Sequence, residues 1–126
     1  MKLHESEAPK RRFGGSFIVP EVGVDDSVQA GTARDDAAAL SRELRGALSV
    51  VARDGAGDER FIVLARIVGY DTELVVAVDV LDRRNSRIAR FEVSAPASKR
   101  GWTDAARETA RFDVVEAIAQ YLQSNR

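Results

Sequence analysis

The sequence predicts an α+β domain in the order β-α-β-β-β-α, with two amphipathic helices packed on one face of a mainly antiparallel sheet. Three patterns point there. Leu40, Leu44, Ala47, Leu48 and Val51 fall on one stripe at helical spacing. Residues 73–81, ELVVAVDVL, alternate with the period of a strand. A second long segment near the C-terminus again places apolar residues three and four apart.

The elements follow in order. Residues 1–15, MKLHESEAPKRRFGG, show neither periodicity and read as a flexible leader, so that 16–126 make up the single domain. Residues 16–24, SFIVPEVGV, read as a strand that lies at an edge or bends at Pro20, which has no N–H for a central ladder. Thr32 is placed to cap the first helix, with Asp35 and Asp36 in its first turn, where the helix dipole favours acids. Residues 54–58, DGAGD, stop it.

The run FIVLARIVGY, residues 61–70, is apolar on both sides apart from Arg66 and reads as a strand buried on both faces. In 73–81 one face carries Leu74, Val76, Val78 and Val80, and the other Glu73 and Asp79. Residues 82–86, DRRNS, form the turn to RIARFEVS at 87–94, which completes a hairpin. Thr103 caps a final helix running to about Gln123, with Phe112, Val115, Ile118, Ala119 and Leu122 as its apolar stripe.

A chain of 126 residues, 44% hydrophobic and 31% charged, is long enough for one core without covalent staples. It has no Cys and one His, His4. Thiolate nucleophiles, Cys/His dyads and structural zinc are thereby excluded, and a Ser-His-Asp triad would have to draw its His from the leader. No Gly-rich phosphate loop is present, since Gly14-Gly15 precedes a strand and Gly55 and Gly57 lead out of a helix. Asp25-Asp26 and Asp35-Asp36 are paired acids, but a polar loop and a helix first turn account for them, and no EF-hand-like series accompanies them. No catalytic residue, cofactor or metal site is expected, and the chain reads as non-enzymatic.

Net charge is −1, but it is unevenly spread. Residues 21–58 carry −4, whereas 83–102 hold six bases against Glu92 alone. Arg83, Arg84, Arg87, Arg90, Lys99 and Arg100, with Trp102, are therefore the candidate binding surface, suited to phosphate, an acidic protein or single-stranded nucleic acid. Asp79 and Arg66, each within an apolar strand, are candidates for a cross-sheet pair or for plain exposure. No apolar run reaches the roughly 20 residues that span a bilayer.

The set FIVPEV at 17–22, DDAAALSRELRGALSVV at 35–51, FIVLARIVGY, VDVLDRRNSRIARFEV at 78–93 and TARFDVVEAIAQYLQ at 109–123 resembles small α/β domains of bacterial envelope lipoproteins and assembly factors. The resemblance implies a non-catalytic protein-interaction module of an envelope or secretion system, tethered through residues 1–15. Its expected partner is another protein. The alternative is a cytoplasmic module that binds an acidic partner or nucleic acid through the Arg-rich hairpin. The chain departs from the lipoprotein pattern in having no signal peptide and no lipid-acceptor Cys. A periplasmic or outer-membrane-associated location is expected if a signal has been removed, and a cytoplasmic one otherwise.

Overall fold

A computed structural model describes residues 2–7, 15–54 and 59–124, with side chains over 15–52 and 59–123. The elements are β1 (Lys2–Glu7), β2 (Gly15–Ile18), β3 (Gly23–Val24), α1 (Ala33–Asp54), β4 (Glu59–Tyr70), β5 (Glu73–Leu81), β6 (Arg87–Pro96) and α2 (Asp104–Ser124). The strands join one mixed sheet in the order β1-β6-β5-β4-β2, and β3 also pairs with β4. Neighbours are antiparallel except at β2 and β3, which run parallel to β4 as α1 carries the chain across the sheet. The fold is α+β, with the helices packed against the sheet.

Three expectations about the strands are corrected. The leader reading fails at Lys2–Glu7, which form β1 and pair with β6, placing His4 opposite Glu92 in register. The remainder of that segment, 8–14, lies outside the described residues. The strand at 16–24 divides into β2 and β3 around Pro20, with β2 at the edge of the sheet as the proline requires. There α1 takes over the main-chain groups: Ser41 Oγ accepts from Val22 N at 2.8 Å, and Arg45 Nε donates to the Val19 carbonyl at 2.9 Å. Third, β4 is buried on one face only, since Leu64 is 39% exposed and Arg66 also faces solvent.

The core lies between that buried face and the helices. Phe61, Val63 and Ile67 of β4, Leu74, Val76, Val78 and Val80 of β5, and Ala89, Phe91 and Val93 of β6 meet Leu40, Leu44 and Leu48 of α1 and Val114, Ile118 and Leu122 of α2. Strand alternation puts these residues on one side and leaves the other open. Phe112 corrects the expected stripe of α2, because it is 63% exposed. The stripe that is buried contains the small Ala106, Ala110 and Ala117, which bring α2 close to its neighbours.

The turns follow their local chemistry. Gly15 has φ of +127°, and a Cβ there would lie 2.0 Å from the Glu59 carbonyl oxygen, so only glycine fits. In the hairpin, Asp82 Oδ1 accepts from Arg84 N and Ser86 N, and Asn85 takes φ of 62°. Thr103 Oγ1 accepts from Ala106 N at 3.1 Å, which makes it the cap of α2 as expected.

Candidate functional site

Two groupings of charged side chains result, one between the helices and one on the open sheet face. The first centres on Asp36, in the first turn of α1, whose residue exposure is only 2%. Its Oδ2 accepts from Arg107 Nε at 2.9 Å and from the Tyr70 hydroxyl; its Oδ1 accepts from Arg111 Nη1 at 2.5 Å. Arg107 also reaches Asp104 at 2.8 Å, and Arg111 Nε lies 3.6 Å from Glu43. Tyr70 ends β4 and comes within 3.2 Å of Thr32 Oγ1. One carboxylate thus ties α1, α2 and the β4–β5 turn together.

Burial pushes the Asp36 carboxyl up, but the Arg107 guanidinium, the Tyr70 hydroxyl and Arg111 outweigh it and hold the group below the usual carboxylate range. Tyr70 is pushed up by burial and by donating to that carboxylate. Arg107 is raised still further into its charged form, chiefly by its hydrogen bond to Asp36. A carboxylate so fully occupied with donors is a poor base, and Tyr70 is held protonated. The chemistry favoured by the cluster is fastening rather than proton transfer.

Reading both Asp35 and Asp36 as solvated first-turn acids therefore fails for Asp36. No local signal marks it, because its partners lie 71 and 75 positions along the chain. The paired acids at 25–26 behave as expected of a loop: Asp25 accepts from Ser27 Oγ and Ser27 N, which draws its carboxyl down. Among the described residues no group of three or more His, Cys, Asp or Glu is arranged to hold a metal.

The expected basic surface is not continuous. Arg83 and Arg84 lie exposed in the turn after β5, while Lys99 and Arg100 lie in the loop after β6. The ten residues of β6, at about 3.3 Å each, hold those ends roughly 30 Å apart. Trp102 turns inward and meets Tyr70 edge-on, with ring centroids 5.5 Å apart. Its indole N–H is buried without a hydrogen-bond partner among the described residues. Arg90 donates to Asp79 at 2.8 Å, and Arg87 approaches the same oxygen at 3.9 Å. Arg66 faces Asp25 at 3.6 Å rather than Asp79.

What the sheet does assemble is a patch at the hairpin end of its open face. Ile62 stands opposite Leu81, and Leu64 opposite Asp79, which in turn faces Arg90. Ile62, Leu64 and Leu81 are half-buried or exposed, and Arg60, Arg83, Arg84, Arg87 and Arg90 are exposed around them, while Ile88, in the bulge of β6, packs against the core. Apolar residues inside a basic rim characterise a surface for contact rather than an enclosed substrate pocket.

No family model matches the chain, and no curated protein does. Among solved structures its fold is similar to that of a PelC point variant from Paraburkholderia phytofirmans, a dodecamer. The TM-score is 0.61 at 11% identity, over 97% of this chain and 96% of that one. Similarity at this identity is one of fold. No helix among the described residues is long and apolar enough to cross a membrane.

Proposed function

We propose that this protein is a non-enzymatic assembly module of a bacterial envelope or secretion system, and that it acts by presenting the hairpin end of its open sheet face to another protein chain. The observation that carries the reading is the patch of Ile62, Leu64 and Leu81 inside its arginine rim. The helices cover the other face of β4, β5 and β6, whereas this face leaves Leu64 39% exposed with Ile62 and Leu81 half-buried beside it. Burial of apolar area, at about 25 cal/mol per Å², supplies the driving force for a partner to cover it.

Two further points support the reading. Two acids at the candidate sites are tied up: Asp36 by two arginines and a tyrosine, Asp79 by Arg90 and Arg87. The fold is shared with a protein that forms a dodecamer. The envelope setting rests on the sequence resemblance described above.

A photo-crosslinking amino acid placed at Leu64 in the native host tests the proposal. The expected result is a discrete protein adduct that Leu81→Arg abolishes while the unfolding midpoint is preserved. An absence of any adduct at position 64, with the chain folded and present, would refute it.

A further inference from the structure

The sequence of α2 is electrically mixed, but folding sorts its charges. Arg107 and Arg111 turn inward to Asp36, and their side chains are only 17% and 16% exposed. The outward side is left with Glu108, Phe112 and Glu116, spaced i, i+4 and i+8 and all exposed. Helix α2 therefore presents a stripe on which one aromatic ring stands between two glutamates. No base from α2 itself neutralises that stripe, because Asp36 has drawn both of them in.

This stripe is the counterpart of the patch at the hairpin end of the sheet. There the apolar side chains lie inside and the bases outside; on α2 the ring lies inside and the acids outside. Arg83 and Arg84 lead the rim, exposed at the tip of the turn. The two surfaces lie on opposite layers of the same molecule, because α2 packs over the inner face of β5 and β6 while the patch occupies the outer face. A molecule cannot bring its own α2 onto its own open face.

We infer that the occupant of the open face is a second copy of this chain, seated through Glu108, Phe112 and Glu116 of its α2 against Ile62, Leu81, Arg83 and Arg84. This rests on the assembly reading above and names its partner. Two different surfaces in contact make a head-to-tail interface, which propagates from copy to copy and either closes into a ring or runs on as a filament. Opposed charges around an apolar centre set its register and orientation.

The purified full chain at about 100 μM, well above a micromolar dissociation constant, is examined by light scattering. The expected mass is a multiple of 13.8 kDa. Phe112→Asp reduces it to one chain with the unfolding midpoint unchanged. Glu108→Arg with Glu116→Arg, and separately Arg83→Glu with Arg84→Glu, each give a single chain as well. Mixing those two double variants restores assembly with the variants alternating, since each then meets the opposite charge at both contacts. A wild-type chain that stays single, or an assembly that all three variants leave intact, overturns the inference. The assembly module itself stands or falls on the crosslink at position 64 in the host.

Discussion

Asp36 and Asp79 are each flanked by two arginines, but at opposite depths. The Asp36 side chain is 3% exposed and bound by Arg107, Arg111 and Tyr70. The Asp79 side chain is 29% exposed on the open sheet face, beside Arg90 and Arg87. In water an ion pair exchanges one set of favourable contacts for another and contributes little. Away from water, loss of one partner strands the other's charge. The same residue types therefore make a structural fastening in one place and an adjustable surface in the other.

The most severe way to break this contrast is Asp36→Ala, which leaves the two arginines without their buried anion and with only the more exposed Asp104 and Glu43 beside them. A loss of about 3–5 kcal/mol is expected from urea unfolding. Acid should act on the same site. The folded pKa of Asp36 lies below its unfolded value, so its contribution is complete above about pH 4 and is lost as pH falls through the depressed folded value. A series of unfolding curves from pH 5 to pH 2 checks this, and Asp36→Asn should flatten that part of the profile.

Tyr70→Phe removes one donor and leaves the arginines in place, so the expected cost is about 1 kcal/mol. The comparison is sharpest with Asp79→Ala, for which about 0–1 kcal/mol is expected. At 1 M salt, where the screening length is about 3 Å, the Asp79 difference should vanish and most of the Asp36 difference should remain. Equal salt sensitivity at the two sites would contradict the assignment of one as buried and the other as open.

Much of the architecture is legible in the sequence because it is local. The spacing from Leu40 to Val51 and the alternation from Leu74 to Val80 each record which side of an element meets the core. Pro20 marks an interruption that the structure repairs with Ser41 and Arg45. The Asp36 cluster is not legible in this way, since an acid in a first turn is satisfied by the helix dipole alone and nothing nearby in sequence announces distant arginines. Phe112 misleads for another reason. A search for large apolar residues passes over Ala106, Ala110 and Ala117, whose small size is what allows α2 to lie close against its neighbours. The basic segment was visible as composition, but strand length decides that Arg83 and Arg100 occupy opposite ends of β6.

Trp102 is the single tryptophan of the chain. Its ring meets the edge of Tyr70, whose hydroxyl donates to Asp36. The protein thereby carries an optical probe two residues removed from its own buried anion. Excited tyrosine at that separation passes energy to the indole, so the emission spectrum reports whether the helices and the β4–β5 turn are still joined. Assembly at the far face of the sheet and loosening between the helices can then be followed separately in one sample, the first by scattered light and the second by fluorescence.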